Sequence, residues 1–391
     1  MNYNFDEIID RRNTHAVKLE VLKEQYGSDD LIPLWVADMD FLSPPAITKA
    51  LRERVDHGVF GYTSASKEYY NSIISWLNRR HQWSVAKDMI TFVPGVVKGI
   101  AFVLDEFTEK GDEVIIQTPV YHMFRLVTRG LGRTLVDNPL IYEDGNYKMD
   151  FAGLRKIAEQ GTAKVLILCN PHNPGGRVWT KEELAELAEI CYDNHILVIS
   201  DEIHCDLALN GFKHVPFSTV SEKARQNNIT LMAPSKTFNI AGIVSSFSVI
   251  ENESIRNRFL NYLSPRELNS GTIFAYTATE AAYNDSEDWL EELLEYIQGN
   301  IDFVADYIVK NIPQIQVIKP QSSFLVWLDC RTLNMTAKEL DTLFVEKAKL
   351  VLNNGAMFGE NGSGFMRLNV GVSRSVLEKS LSNLDKAISS I

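Results

Sequence analysis

The sequence has few cysteines, and they are widely separated. The four in 391 residues are Cys169, Cys191, Cys205 and Cys330, and no pair has the Cys-x-x-Cys spacing. The spacing therefore gives no support to a zinc or redox site, and we expect no metal ion. Because scattered cysteines suit a reducing compartment, we expect a cytoplasmic protein.

Long apolar runs and an excess of positive charge are also missing. No stretch approaches 18 consecutive apolar residues, and the first residues, MNYNFDEIIDRRN, contain no apolar signal-peptide core. Lys and Arg total 39 against 51 Asp and Glu, a net charge of −12. Since nucleic acids and anionic membranes both bind basic faces, we expect neither as a partner. A small anionic ligand held by a few local cations stays compatible with this charge.

What remains is an ordinary globular composition, with 45% hydrophobic and 23% charged residues. It excludes collagen-like, coiled-coil and mostly disordered chains. From about residue 90, short apolar runs alternate with helical segments, which predicts an α/β fold with a mostly parallel sheet and helices on both faces. The apolar runs are Thr91–Val93, Glu113–Gln117, Thr134–Asp137, Lys164–Cys169, Ile196–Ser200, Ile229–Ala233 and Val244–Ile250.

The pattern changes near Asp285. A long helical segment, about 286–311, leads into fewer strands at 316–318, 324–328, 351–353 and 365–370, and then into a last amphipathic helix. We therefore predict a large domain over residues 51–284, with a seven-stranded sheet. We also predict a smaller, discontinuous α+β domain formed by residues 1–50 and 285–391.

Polar residues follow four of the predicted strands, at the edge where ligands bind in an open α/β sheet. Pro94–Gly99 is a glycine-bearing turn that opens a helix and offers free N–H groups to an anion such as phosphate. The other three segments are Asn170–Gly176 (NPHNPGG), Asp201–His204 (DEIH) and Pro234–Asn239 (PSKTFN). Each alone also has an ordinary interpretation: a tight turn, a structural loop, a helix cap and a surface lysine.

The order of these segments resembles the fold-type I pyridoxal phosphate enzymes, the aspartate aminotransferase superfamily of class I and II. The resemblance covers nearly the whole chain. The stretches PLWVADMDF (33–41), GYT (61–63) and SKTFN (235–239) are similar to one branch. That branch is the bacterial cystathionine β-lyases, or C–S lyases, of the maltose-regulon-modulator type.

The resemblance implies pyridoxal 5′-phosphate as cofactor and assigns roles around its ring. Lys236 would form the Schiff base and later remove the Cα proton of the substrate. Asp201 would pair with the pyridine nitrogen, and Asn173 would bind the 3-oxygen. Tyr121 would stack on the ring and belong to the catalytic set. His204 stands where related enzymes use a tyrosine near the 3-oxygen.

The resemblance also implies a phosphate site and a homodimer with shared active sites. The backbone N–H groups of Val96 and Val97, with Ser235, would hold the phosphate, and Tyr62 would reach it from a neighbouring subunit. Many aminotransferases carry a phosphate-binding arginine eight residues after the lysine, where this chain has Val244. This departure fits the lyase branch better than the aspartate aminotransferase branch.

The resemblance implies a small amino-acid substrate whose carboxylate binds Arg367, although a lone arginine on a strand is more often a surface residue. A planar guanidinium holds a carboxylate through two parallel bonds. The resemblance implies that the backbone near Ala37 and the side chain of Asn173 complete this site. Tyr62 and Trp35 are candidates to line the space for the leaving group, although a position in the core is the more common one for a residue such as Trp35.

These roles favour β-elimination from cystathionine or a related cysteine S-conjugate, giving a thiol, pyruvate and ammonia. Transamination uses the same lysine, aspartate and arginine and is the nearest alternative. A further alternative is a regulatory protein that binds the cofactor and acts through a protein partner. A nicotinamide dehydrogenase is disfavoured because the GxGxxG pattern is missing.

Overall fold

Residues 2–390 are described by the computed structural model. Their strands are β1 (Ile32–Pro33), β2 (Ile90–Val93), β3 (Glu113–Ile116), β4 (Thr134–Asp137), β5 (Ile141–Glu143), β6 (Asn146–Lys148), β7 (Ala163–Cys169), β8 (Leu197–Asp201), β9 (Asn228–Met232), β10 (Ser246–Val249), β11 (Gln316–Ile318), β12 (Leu325–Asp329), β13 (Leu350–Val351), β14 (Asn353–Asn354) and β15 (Phe365–Asn369).

The helices of the same residues vary from one turn to seven. They are α1 (Val17–Glu20), α2 (Leu22–Tyr26), α3 (Pro45–Asp56), α4 (Lys67–His81), α5 (Val96–Phe107), α6 (Met123–Gly130), α7 (Phe151–Ala158), α8 (Lys181–Asp193), α9 (Glu222–Gln226), α10 (Glu253–Leu263), α11 (Ile273–Asp285), α12 (Glu287–Asn311), α13 (Ala337–Asp341) and α14 (Arg374–Ser389). None of these helices combines the length and apolar character needed to cross a membrane.

The largest sheet has seven strands in the order β2-β10-β9-β8-β7-β3-β4. Strands β9, β8, β7, β3 and β4 pair in parallel, whereas β10 is antiparallel to both of its neighbours. The predicted α/β fold with a mostly parallel seven-stranded sheet is confirmed. Strands such as β8 and β9 are buried at every residue, because helices cover both faces of the sheet.

A second sheet, in the order β11-β12-β15-β14, is formed by the C-terminal part of the chain. The single strand predicted over residues 351–353 is wrong in detail. Leu350–Val351 pairs with β1, whereas Asn353–Asn354 pairs with β15. The strand is interrupted because its two ends bond to different partners. The domain boundaries at residues 50 and 284 stay a prediction.

Aromatic side chains join the N-terminal segment, the large sheet and α12 in one core. The ring of Phe5 contacts those of Phe41 and Trp289, at centroid distances of 5.2 and 5.7 Å. Trp289 in turn packs against Phe238, which contacts Trp76 of α4. The turn that carries Phe238 is therefore held from both sides.

Candidate active site

A cavity of about 330 Å³ lies at the edge of the large sheet where β8 ends. It brings together nine of the eleven predicted site residues, which are Ala37, Val96, Val97, Tyr121, Asn173, Asp201, His204, Ser235 and Lys236. The convergence of parallel strand ends explains this grouping. Arg367 and Tyr62 do not line the cavity.

Lys236 lies in a turn after β9 that is closed by backbone hydrogen bonds. The amide of Phe238 donates to the Pro234 carbonyl and the amide of Ile240 donates to the Ser235 carbonyl, both at 3.0 Å. The Nζ of Lys236 donates to the carbonyl oxygen of Ala37 at 2.6 Å. Burial lowers the pKa of Lys236 to about 8, although nearby carboxylates act in the opposite direction. A larger fraction of this amine is thus unprotonated near neutral pH than for an ordinary lysine.

Asp201 is the last residue of β8, and only 4% of it is exposed. Burial raises the pKa of Asp201 to about 7, while a bond from the amide of Ile203 and the charge of Lys236 partly offset that rise. A buried carboxyl group of this kind is stabilised by a proton donor or a cation. Asp201 therefore fits a ligand that presents a protonated nitrogen.

His204 and Tyr121 are the other titratable groups of the cavity wall. Burial lowers the pKa of His204 to about 3, and the charges of Lys236 and Arg367 act in the same direction, so the ring is neutral. Its Nδ1 is buried without a hydrogen-bond partner. Burial also raises the pKa of Tyr121, which stays a neutral phenol. Both rings present polar atoms to a ligand without adding charge.

The first turn of α5 opens at the cavity. The residue before the helix, Gly95, has a φ of 112°, and no side chain caps the helix. The amide of Gly95 donates to the hydroxyl of Ser246 at 2.8 Å, and Ser246 also lines the cavity. Uncapped N–H groups at a helix start attract anions. Ser246 was missed because it begins the antiparallel β10 and lies inside the predicted strand Val244–Ile250, not in one of the polar segments that follow strands.

Arg367 lies on β15 behind Asn173, and only 5% of it is exposed. Its Nη1 donates to Asn173 Oδ1 at 3.0 Å, and its Nη2 donates to the Trp35 carbonyl at 3.0 Å and to Asn353 Oδ1 at 2.6 Å. Burial lowers the pKa of Arg367 to about 10. The guanidinium also lies 4.8 Å from the ring centre of Phe358. Asn353 and Phe358 were not predicted, since neither belongs to a motif.

Tyr62 is fully exposed in the single chain. It lies between α3 and α4 near Val59 and Phe60, whose exposed fractions are 62% and 56%. The structure does not bring Tyr62 to the cavity of its own chain. Its contribution to a neighbouring subunit stays a prediction.

The comparisons with known proteins cover nearly the whole chain. The family model for aminotransferase class I and II matches residues 29–384. The chain is 41% identical over 386 residues to cystathionine beta-lyase PatB of Bacillus subtilis, covering 99% of this chain and 100% of that protein. It is 34% identical over 391 residues to protein MalY of Escherichia coli, covering 100% of both.

Two solved structures have the same fold over almost every residue. Cystalysin from Treponema denticola, which contains pyridoxal 5′-phosphate, has a TM-score of 0.96 and 36% identity, with 100% of both chains covered. The pyridoxal phosphate-bound C–S lyase from Staphylococcus hominis has a TM-score of 0.91 and 36% identity, with 99% of this chain and 98% of that chain covered.

Proposed function

The chain belongs to the aminotransferase class I and II family, and from this premise we propose that it is a pyridoxal 5′-phosphate-dependent C–S β-lyase. Its substrates are cystathionine or related cysteine S-conjugates, which it converts with water into a thiol, pyruvate and ammonia. The full-length similarity to proteins named cystathionine beta-lyase and C–S lyase supports this activity. The observation that carries the proposal is the Lys236 amine, whose pKa is lowered in the same cavity as Asp201.

The residues of the cavity fit the cofactor. The uncapped start of α5 at Val96 and Val97, with Ser235, suits a phosphate group. Asp201, whose pKa is raised by burial, suits a pyridine nitrogen that carries a proton. The unpartnered Nδ1 of His204 offers one more polar contact. Lys236 would hold the cofactor covalently, Tyr121 would pack on its ring and Asn173 would contact the 3-oxygen.

When bound, pyridoxal phosphate supplies an electron-withdrawing ring that stabilises negative charge at the substrate Cα. Once the substrate amine has displaced Lys236 from the cofactor, the freed amine would take the Cα proton, because burial lowers its pKa and leaves it partly unprotonated. Asp201 would hold a proton on the ring nitrogen. Arg367 and Asn173, already bonded to each other, orient the substrate carboxylate together with the backbone at Ala37. This orientation would direct the Cα–H bond toward the Lys236 amine.

The activity is tested by incubating the purified protein with cystathionine. We expect pyruvate and homocysteine in equal amounts, with many turnovers for each protein chain. Accumulation of pyridoxamine phosphate together with a keto acid would instead identify a transaminase. A protein that binds the cofactor but catalyses neither elimination nor transamination of cystathionine would support the regulatory alternative.

Replacement of Lys236 tests the role of its amine, and replacement of Lys164 is the matched control. Lys236→Ala is expected to abolish turnover and the visible absorption of the bound cofactor, since the amine both holds the cofactor and moves the proton. Lys164→Ala, at an exposed position on β7, is expected to keep both. Equal activity of the two variants would contradict the proposal.

We further propose a homodimer in which Tyr62 of one subunit completes the cavity of the other. The exposed Val59, Phe60 and Tyr62 support an interface in this segment, since apolar side chains are stabilised by burial.

Free, buried cysteines support the cytoplasmic location, and the net charge of −12 supports the absence of a nucleic-acid partner.

Shared sites are tested by subunit mixing. Tyr62→Ala and Lys236→Ala dimers are each expected to have little activity. After unfolding and refolding together, mixed dimers contain one site with neither substitution, so about a quarter of the wild-type activity is expected. Absence of recovery, with dimers verified by sedimentation, would show that Tyr62 acts within its own chain, and full activity of the Tyr62→Ala dimer would show that Tyr62 takes no part.

A further inference from the structure

A buried carboxylate, Asp206, lies behind the lysine turn and outside the cavity described above. It follows β8 in the short helical turn Cys205–Leu207, and only 3% of it is exposed. The proposed reaction does not use this residue. A carboxylate at such a depth is costly unless all its bonds are satisfied, so its partners indicate its role.

Both oxygens of Asp206 accept hydrogen bonds from distant parts of the chain. Trp76 Nε1 donates to Oδ1 at 3.0 Å, and His81 Nε2 lies 2.8 Å from the same oxygen. The hydroxyl of Thr237 donates to Oδ2 at 3.0 Å. Burial opposes ionisation, but the bonds from His81 and Trp76 and the charge of Arg80 lower the pKa of Asp206 below its ordinary value. The carboxylate is therefore charged at neutral pH and accepts strong hydrogen bonds.

Thr237 is completely buried and directly follows Lys236 in the chain. Its bond to Asp206 ties the lysine turn to α4, which supplies Trp76 and His81. On the other side of the turn, Asn239 Nδ2 donates to the carbonyl oxygens of Met39 and Phe41. The backbone of Lys236 is thus anchored at both of its flanks.

The same side chains do not form a good metal site. His81, Cys205 and Asp206 offer ligand atoms within 4.8 Å of one another. Both Asp206 oxygens are already bonded, and the adjoining cavity of about 720 Å³ is lined by Arg79 and Arg80. These positive charges oppose a cation.

We propose that Asp206 is a positioning residue for the Lys236 amine. Trp76 and His81 hold the Asp206 carboxylate, and its hydrogen bond to Thr237 keeps the neighbouring Lys236 oriented toward cofactor and substrate. The inference rests on the proposed function, because the orientation of the Lys236 amine affects the rate only if this amine takes part in the reaction. Displacements of about 1 Å at a reacting group can lower a rate by about a hundredfold.

The test compares Thr237→Val with Thr237→Ser in the holoenzyme. The valine removes the hydroxyl and nearly keeps the volume, whereas the serine keeps the hydroxyl. For Thr237→Val we expect kcat with cystathionine to fall about tenfold, KM to change less than about twofold and cofactor release to accelerate about tenfold. Thr237→Ser is expected to stay within about threefold of wild type in all three quantities. Asp206→Asn, which removes the charge, is expected to follow the valine variant.

Thr230→Val controls for the loss of a buried hydroxyl bond as such. Thr230 is also completely buried and donates one hydrogen bond, to Asn228 at 2.8 Å, but on β9 rather than in the turn. We expect it to lower the melting temperature without accelerating cofactor release. If Thr237→Val had the same effects as Thr230→Val, or the same effects as Thr237→Ser, the positioning role would be overturned and the proposed function would stand. A wild-type protein that binds no cofactor would overturn the proposed function as well.

Discussion

The buried carboxyl group of Asp201 makes the stability of the cofactor-free protein depend on pH. In the unfolded chain its pKa is close to 3.8, whereas burial raises the value in the folded protein to about 7. Between these values the folded state keeps a proton that the unfolded state has lost, so this group's contribution to stability falls as pH rises. Above about pH 7 the penalty is complete and amounts to about 4 kcal/mol.

Asp201→Asn removes the titration and nearly keeps the shape. Relative to the cofactor-free wild type, we expect this variant to gain stability progressively from pH 4 to pH 8, by up to about 4 kcal/mol. Urea unfolding at several pH values measures the difference. Other groups, such as His204, titrate in both proteins, so only the difference between the two curves is informative. Parallel curves would show that the Asp201 carboxyl is not shifted.

Single residues also show what the sequence could and could not predict. Lys236, Asp201 and Asn173 became candidates because each lies in a segment that follows a predicted strand, and the resemblance then implied their roles; the structure brings all three to one cavity. Asp206 and Asn353 were missed because their partners are remote in sequence: Asp206 bonds Trp76, 130 residues away. Such contacts depend on how helices pack on the sheet, which local patterns do not specify.

At the level of elements, the turn before α5 depends on one glycine. Gly95 has a φ of 112°, and a Cβ built there meets no atom within 4 Å. Gly95→Ala is therefore opposed by backbone strain alone, of about 1–3 kcal/mol. We expect the turn to shift and the cofactor dissociation constant to rise at least about tenfold, as measured by fluorescence titration.

Gly130 provides a matched control for that substitution. It is the last residue of α6, has no positive φ and also has open space around it. Gly130→Ala is expected to keep the affinity for the cofactor and the stability of the protein, because alanine suits a helix. If the two alanine variants bound the cofactor equally well, the turn before α5 would not hold the phosphate.

The buried strands of the large sheet were predicted within two residues, as for β7 and β8. The hairpin of β5 and β6 was missed because its short strands are largely exposed and carry no apolar run. The interrupted strand near Leu352 was missed for another reason. Its pairing with both β1 and β15 is determined by tertiary contacts, because the local sequence is equally compatible with one continuous strand.

For the whole molecule, the alternation of strands and helices was enough to predict the large sheet, but not how the chain ends join it. The three segments 1–50, 51–284 and 285–391 meet at Phe5, Phe238 and Trp289. Arg367 bonds Trp35 and Asn173 across the same division. A contact surface that is this apolar favours unfolding of the segments together.

We therefore expect one calorimetric transition for the cofactor-free protein, and a uniform shift of that transition when the junction is weakened. Trp289 is 2% exposed, and Trp289→Ala leaves a cavity that costs about 3–5 kcal/mol. Val309→Ala, on the same helix but 73% exposed, is expected to change stability by less than about 0.5 kcal/mol. Two separate transitions in Trp289→Ala, with only one of them shifted from the wild-type temperature, would mean that the two predicted domains fold independently and that the aromatic junction does not couple them.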